Sequence, residues 1–459
     1  MRADNIVLDT LGLPARLMNR IKAEHGGLSE GALGNGIVAV LDQGVVSAAN
    51  FSTGLIIGRV CSKEQFGLYM LGFTIIMVII GVQESLISIP YTIYSPQLKS
   101  VDLNKYAGST LIHQLVFSIL SIFFLAIAAT TLSMGFGPPG LSGVVKALIF
   151  ASIFIMLWDY TRRILFASLK MKSALVLDSC LAVLQIGVLL LLAKLGYLSA
   201  SMAYWVVGTG CGVVDLSWLF LNRKKFKLSF KQANADLQRN LSIGVWIFGS
   251  GLLWSARNYL YPWLLAAFHG TASTAVWAAC LGVVALCNPL VMGLQNFFTP
   301  QMAHAYAEGK IRVLYTLSLR TITKFGLALL PFCLLLFMFG GHLVSGFYGK
   351  KYVGNGLIVS ILAVNLLVLS LSFAPSRALF TLQRADADFK INIVSFLILL
   401  SCGMFLAKHY GPVGAAAGAL LSNSTSLVLL LIVFSRLVRS QKSCRESDKG
   451  REYDRTFEG

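Results

Sequence analysis

The sequence predicts an all-α, polytopic membrane protein, with about twelve transmembrane helices in two six-helix halves around a central cavity. Three observations lead to this fold class. Charged residues make up only 13% of the 459-residue chain, about half the roughly 25% that is usual in soluble globular domains. The mean hydropathy is +0.73, and apolar runs of about 20 residues, the length that crosses a bilayer, recur along the chain. Lys and Arg residues concentrate in alternate loops.

Twelve apolar segments are long enough to be membrane spans. Two of them carry interrupting residues, Pro289 in the eighth, beside Asn288, and Asn365 in the tenth, and a kink is predicted at Pro289. The predicted spans are 35–58, 66–88, 107–132, 142–161, 173–193, 197–221, 242–266, 272–298, 317–340, 355–376, 391–408 and 412–435.

These spans divide the chain into five parts, and a basic polar stretch separates the first six spans from the last six. Such an arrangement is typical of transporters built from two parallel repeats. The tail has the charged composition of a disordered segment. The parts are a cytoplasmic N-terminal segment 1–34, a six-helix lobe 35–221, a basic cytoplasmic linker 222–241, a six-helix lobe 242–436 and a cytoplasmic tail 437–459.

The distribution of basic residues predicts the orientation. Of the 38 Lys and Arg residues, 30 lie in the termini and the loops on the side of the N-terminus, 7 lie on the other side, and Arg257 remains inside a span. Because cytoplasmic loops carry the excess of Lys and Arg, both termini are predicted to be cytoplasmic. The net charge of +18 is therefore a topology signal, and no nucleic-acid partner is predicted.

No motif in the sequence indicates an enzyme, and we predict no catalytic residue, metal site or cofactor. The eight cysteines show no paired spacing, and no P-loop, H-E-x-x-H or G-x-S-x-G motif occurs. Asp386 and Asp388 have the spacing that some glycosyltransferases use for a metal. They lie in a short loop beside Arg384 and Lys390, which favours a solvated ion-pair cluster.

A weak internal repeat supports the division into halves. Polar and small residues with the same helical spacing follow one face of the first and of the seventh predicted span. Asn50 and Arg257 are equivalent in this alignment and are 207 positions apart. The two faces consist of Gln43, Ser47, Asn50 and Gly54, and of Ser250, Trp254, Arg257 and Tyr261.

The region from the first span into the second resembles a known family. Leu41-Asp42-Gln43-Gly44, Asn50-Phe51, Gly58-Arg59 and Glu64-Gln65-Phe66-Gly67-Leu68-Tyr69 are similar to the start of Wzx-type polysaccharide flippases of the multidrug/oligosaccharidyl-lipid/polysaccharide (MOP) exporter superfamily. The resemblance implies a multi-pass protein of the bacterial cytoplasmic (inner) membrane that exports a lipid-linked oligosaccharide by alternating access. Its partners would be this substrate, membrane lipids and other polysaccharide assembly proteins.

Arg257 is the strongest candidate for binding that substrate. A charge in the middle of a span is costly, about 2.5–3.5 kcal/mol on insertion scales, so it needs a partner or a wet cavity. A guanidinium suits a diphosphate, and the alternative is an ion pair with an acid on a neighbouring helix. The cavity candidates are Arg257, Asn258, Asp42, Gln43, Asn50 and Tyr261.

Asp42 and Glu84 are candidates for a coupling-ion site, because each is a carboxylate within a predicted span. The alternative for Asp42 is a hydrogen bond that packs helices together. Glu84, Asp178 and Asp215 lie near cytoplasmic ends of spans, and ion pairs with loop residues are the expected structural role.

Two other functions remain open at this point. One is a cation-coupled multidrug exporter of the same superfamily, for which an acidic cavity is expected. The other is a membrane glycosyltransferase or polymerase, which normally needs a long catalytic loop or a soluble domain. A net positive cavity around Arg257 favours the flippase.

Overall fold

The computed structural model describes residues 30–307, 311–382 and 384–457, and these residues form helices joined by short turns with no β-strand among them. In this part of the chain, nine helices are long and apolar enough to cross a membrane, or ten with one bent pair. One of the nine, Asp386–Leu437, is two helices joined at a kink. The more polar helix Phe230–His269 completes the twelve predicted spans.

The first half consists of six helices. The second helix, α2 (Lys63–Gln83), continues through a π-helical turn, Glu84–Ser88, and the segment Ile89–Tyr94. Side-chain oxygens of Ser62 and Ser199 accept bonds from backbone N–H groups and so begin α2 and α6. The helices are α1 (Glu30–Val60), α2 (Lys63–Gln83), α3 (Ser100–Ser133), α4 (Leu141–Ala167), α5 (Met171–Leu195) and α6 (Ala200–Asn222).

The second half repeats this layout with three interruptions. The eighth span is bent by 52° between α8 (Thr271–Ala285) and α9 (Asn288–Ala307), which confirms the kink predicted beside Pro289. A π-helical turn, Leu399–Gly403, joins α12 (Ala385–Ile398) to α13 (Met404–Phe457), and α13 breaks at Gly411. The helices are α7 (Phe230–His269), α8 (Thr271–Ala285), α9 (Asn288–Ala307), α10 (Ile311–Tyr348), α11 (Gly356–Thr381), α12 (Ala385–Ile398) and α13 (Met404–Phe457).

Some predicted boundaries differ from the structure. The linker predicted at 222–241 is much shorter, because Ser229 caps a helix that begins at Phe230 and continues into the seventh span. The backbone of α13 is helical to Phe457, where the sequence predicts a disordered tail. Most of the predicted N-terminal segment, residues 1–29, lies outside the described residues.

We call the end of the bundle that holds Arg223–Lys225 and Arg384 the basic end, and the other the opposite end. At the basic end, α7 packs against the first half. The Tyr106 hydroxyl donates to Asn240 Oδ1 at 2.7 Å, and His113 Nε2 lies 2.8 Å from the carbonyl of Ala233. The first half of α7 is therefore attached to helix α3 of the other lobe.

The two halves also meet at the opposite end. Arg59 at the end of α1 donates to the carbonyl of Phe347 at 3.3 Å, and Lys351 donates to the carbonyl of Arg59 at 3.3 Å. Helix α2 approaches α8 so closely that a Cβ at Gly67 would lie 1.9 Å from the carbonyl oxygen of Thr271. Only glycine permits this approach, and it closes the space between the halves at this end.

Candidate functional site

Each half contains a cavity. The cavity of the second half has a volume of about 110 Å³, and that of the first half about 90 Å³. The second-half cavity lies between α7, α8, α11, α13 and the π-helical turn Leu399–Gly403. Its wall includes Arg257, Asn258, Tyr261, Trp277, Asn365 and Asn423. The first-half cavity is lined mainly by apolar and aromatic residues, together with Asn50, Asp178 and Gln185.

Arg257 lies in the wall of the second-half cavity and bonds to two amide oxygens. Its Nη1 donates to Oδ1 of Asn392, and its Nη2 donates to Oδ1 of Asn423 at 2.6 Å. Asn423 is held in turn by the bond from its Nδ2 to Asn365 Oδ1, at 2.8 Å. Arg257 makes no ion pair with any described residue. Its positive charge is therefore solvated by neutral amides, not by a carboxylate.

Asn392 links Arg257 to a buried carboxylate. Its Nδ2 donates to Oδ2 of Asp388 at 2.9 Å, while its Oδ1 accepts from the guanidinium. The other oxygen of Asp388 accepts from the Ser376 hydroxyl at 2.8 Å. Asp388 is only 8% exposed, so the prediction that it belongs to a solvated ion-pair cluster is wrong. Its neighbour Asp386 does fit that prediction, since it is exposed and bonds to Arg384.

Two aromatic residues in the same wall carry polar groups without a hydrogen-bond partner in the described part of the chain. The Tyr261 hydroxyl and the Trp277 indole N–H are buried and make no hydrogen bond to a described residue. Their rings pack against each other with centroids 5.5 Å apart. A buried donor without a partner costs about 1–3 kcal/mol, so these groups favour a ligand that offers hydrogen bonds.

The first half contains a largely buried arginine whose charge, unlike that of Arg257, is paired with carboxylates. Arg162 donates through Nη2 to Asp42 Oδ2 and through Nε to Asp178 Oδ2, both at 2.6 Å. Its guanidinium also lies 5.7 Å from the ring of Trp158 and 5.2 Å from that of Phe166. Two carboxylates flank one guanidinium, so Arg162 has no charge left for an anionic ligand.

A second cluster lies beside it on α2 and α4. Arg163 pairs with Glu84, and its Nε lies 3.7 Å from Asp159 Oδ1. Gln83 donates to Asp159 Oδ2 at 3.3 Å. Glu84 and Asp178 thus make the ion pairs that the sequence predicts. Asp215 is fully buried and makes no ion pair with a described residue, which differs from its predicted pairing.

The predicted site residues divide between the halves. Arg257, Asn258 and Tyr261 line one cavity together, and Asn50 lines the other. Asp42 belongs to the Arg162 cluster, as does Gln43, whose Oε1 lies 3.4 Å from Arg162 Nη2, and Glu84 belongs to the Arg163 cluster. Ion coupling at Asp42 or Glu84 stays a prediction.

Sequence reasoning missed most partners of Arg257. Asn365 and Asn423 stand in predicted spans, Asn423 within the polar run 422–426, and nothing local connects them to Arg257, which is 166 positions from Asn423. Asp388 and Asn392 carry a usable signal, because residues four apart share a helix face and both lie on the helix α12, which leads into an apolar span. Reading that spacing as an inward-facing polar face would have found both.

Comparison with known proteins gives a consistent result. A family model described as "Polysaccharide biosynthesis protein" matches residues 32–306, more than half of the chain. No curated protein sequence matches.

Among solved structures, an inward-facing multidrug resistance MATE family transporter of the MOP superfamily has a TM-score of 0.72 at 16% identity, over 88% of this chain and 99% of that chain. An outward-facing conformation described in the same words has 0.61 at 16% identity, over 89% and 95%. A MOP superfamily transporter from Pyrococcus furiosus Vc1 (DSM3638), for which a reverse polarity of the binding pocket suggests a different function, has 0.63 at 15%, over 88% and 95%. These similarities show the fold.

Proposed function

The chain belongs to the polysaccharide biosynthesis protein family and has the fold of MOP superfamily transporters, and on that premise we propose that it is a flippase for a lipid-linked oligosaccharide. The family match confirms the resemblance to Wzx-type flippases. The substrate we propose is a polyprenyl-diphosphate-linked oligosaccharide, which moves across the cytoplasmic membrane for polysaccharide export. Both termini would lie in the cytoplasm, on the side of the basic end.

One observation carries this proposal: Arg257 lies in a cavity wall with its charge unpaired by a carboxylate among the described residues. A guanidinium has five N–H donors, and the two amide oxygens occupy two of them. The remaining donors match the oxygens of a phosphate in the forked geometry that arginine favours. The diphosphate of a lipid-linked sugar supplies such oxygens.

The unpaired polar groups of the cavity support a saccharide as the second component. The Tyr261 hydroxyl and the Trp277 N–H are buried donors in the same wall as Arg257. A saccharide offers many hydroxyl oxygens, and a site built to bond such groups discriminates strongly against ligands that lack them. The same wall therefore provides one cation for phosphate and neutral donors for sugar.

Alternating access is the transport mechanism we propose. The TM-score is higher with the inward-facing relative, 0.72, than with the outward-facing one, 0.61. The contacts of Arg59, Lys351 and Gly67 join the halves at the opposite end. This supports a state that is closed on the outer side and accessible from the cytoplasm.

Substitution of Arg257 tests the function. Arg257→Ala should abolish surface polysaccharide while membrane abundance stays normal, because the amides left behind are neutral and remain bonded to Asn365 and Asp388. Arg257→Lys should restore part of the export, since it keeps the charge but loses the fork. Arg384→Ala is the matched control, because Arg384 is exposed and pairs with Asp386; it should export normally.

Each other outcome has a distinct meaning. Normal export by Arg257→Ala at normal abundance would refute the anion site. A fall in abundance with proportionate export would mean that Arg257 serves only the fold.

A multidrug exporter is the second candidate, because the solved relatives include MATE transporters. The first-half cavity has aromatic walls and one carboxylate, Asp178, but Arg162 and the Trp158 indole N–H already bond to that carboxylate. We therefore expect deletion of the gene to deplete surface polysaccharide and to leave tolerance to cationic dyes unchanged. Increased dye sensitivity with intact polysaccharide would favour the exporter.

A further inference from the structure

We propose that Asp388 is a positioning residue for Arg257: acting through Asn392, it holds the guanidinium in the cavity without neutralising it. The inference rests on the proposed function, because it explains how the anion site is built. It concerns the chain of bonds Ser376–Asp388–Asn392–Arg257, which connects α11, α12 and α7.

The amide of Asn392 has a defined direction. Its Nδ2 donates to the Asp388 carboxylate at 2.9 Å and also to the Asp388 backbone carbonyl at 2.9 Å. A carboxylate only accepts hydrogen bonds, so the Nδ2 group must face Asp388 and the Oδ1 must face away from it. That oxygen receives Arg257 Nη1. The carboxylate thereby selects the amide orientation that suits a guanidinium.

The separation of the two charges is the second part of the argument. A carboxylate in direct contact with a guanidinium satisfies it, as Asp42 and Asp178 do for Arg162. In the second half one amide group stands between Asp388 and Arg257. Asp388 can orient the guanidinium through that amide, while the guanidinium N–H groups that face the cavity stay free for an incoming anion.

Loss of Asp388 has two opposite consequences. It removes a negative charge near the site, which by itself strengthens anion binding. It also removes one of the two acceptors that fix Asn392 and leaves only the backbone carbonyl of residue 388, so the amide turns its Nδ2 toward Arg257 more readily, and two donors then face each other. If Asp388 positions Arg257, the second effect is larger and its loss weakens anion binding. If only its charge matters, its loss strengthens anion binding.

The test is calorimetric binding of inorganic pyrophosphate to the purified full chain in detergent, at one fixed salt concentration. Asp388→Ala should weaken binding about tenfold, as expected for a lost hydrogen bond to a charged group. Ser376→Ala leaves the carboxylate in place and should weaken binding less. Asp386→Ala is the matched control, because it removes the same charge two residues away from an exposed pair, and it should bind like wild type.

The double variant Asp388→Asn, Asn392→Asp separates positioning from a purely structural role, because it moves the carboxylate from position 388 to position 392 and keeps an amide donor beside it. The new carboxylate would contact Arg257 directly, as the acids contact Arg162. Pyrophosphate binding should fall as far as in Arg257→Ala, while the thermal midpoint is equal to or above that of wild type. A structural role alone would lower the thermal midpoint together with binding.

The outcomes distinguish this inference from the proposed function. Equal binding by wild type and Arg257→Ala would refute the anion site, and the function with it. If Arg257→Ala loses binding but Asp388→Ala binds as tightly as wild type or more tightly, positioning is refuted and the anion site stands. Wild-type binding by the double variant Asp388→Asn, Asn392→Asp would also refute positioning.

Discussion

Removing Arg162 should destabilise the protein strongly, and the cluster around it allows the size of the effect to be worked out. Its guanidinium is 13% exposed, and the two carboxylates that it bonds at 2.6 Å, Asp42 and Asp178, are fully buried. Arg162→Met would leave two like charges buried without their partner. Stranding one partner of a buried ion pair costs about 3–5 kcal/mol, and the two acids share one arginine, so the free energy of unfolding should fall by at least that amount.

The assay is the thermal midpoint of the purified chain in detergent, together with its abundance in membranes. The triple variant Arg162→Met, Asp42→Asn, Asp178→Asn removes all three charges and should recover most of the loss, because neutral groups of similar size avoid the desolvation cost. Lys105→Ala is the control: Lys105 pairs with Asp102 at an exposed site, where such pairs contribute about 0–1 kcal/mol. A normal midpoint for Arg162→Met would refute the reasoning, as would a triple variant no better than the single one.

Three further predictions follow from the fold. Reporter fusions after Arg239 and after Arg436 should read cytoplasmic and one within Phe268–Thr274 external; a cytoplasmic signal from the last would overturn the predicted orientation. Gly67→Ala should reduce export, because its Cβ would lie 1.9 Å from the backbone of α8 and so separates the halves at the opposite end; unaffected export would mean that this contact is not needed in the transport cycle. Asp215→Asn should leave the thermal midpoint unchanged or raise it, because it removes a buried charge that has no ion pair with a described residue; a lower midpoint would contradict this.

The spans could be predicted because each depends on a local property. An apolar run of about 20 residues crosses a membrane wherever it lies, and Pro289 bends its helix for a local reason. The boundary at 222–241 was less predictable, since its basic residues suit either a loop or the solvated first turns of a helix. The capping bond of Ser229 decided for the helix.

The site was predictable only in part, because its chemistry depends on residues that are distant in sequence. The depth of Arg257 marked it as functional, and its neighbours Asn258 and Tyr261 share its cavity. Whether a buried arginine is neutralised depends on tertiary contacts. Arg162 is placed by the sequence in a loop and acquires Asp42 from 120 positions away. Arg257 acquires Asn392 from 135 positions away.

The two halves use equivalent positions for different purposes. Asn50 and Arg257 are 207 positions apart, and so are Gln185 and Asn392. In the first half, the Gln185 amide donates to Thr53 at 2.7 Å, one turn from Asn50, so α5 joins α1 through neutral groups. In the second half, the corresponding joint between α12 and α7 is the bond from Arg257 to Asn392.

Each half thus has a polar helix–helix contact at these equivalent positions, and the contact contains a cation in the second half but not in the first. The first half places its arginine on α4 instead, between two carboxylates. An anion in contact with both halves would therefore be attracted by Arg257 and would find Arg162 already satisfied. For the lipid-linked substrate that we propose, we expect the diphosphate end to face the second half. The double variant Asn392→Asp, Asp178→Asn would place a carboxylate on Arg257 and remove one of the two carboxylates from Arg162. It should weaken pyrophosphate binding without creating a new site, because Asp42 still pairs with Arg162.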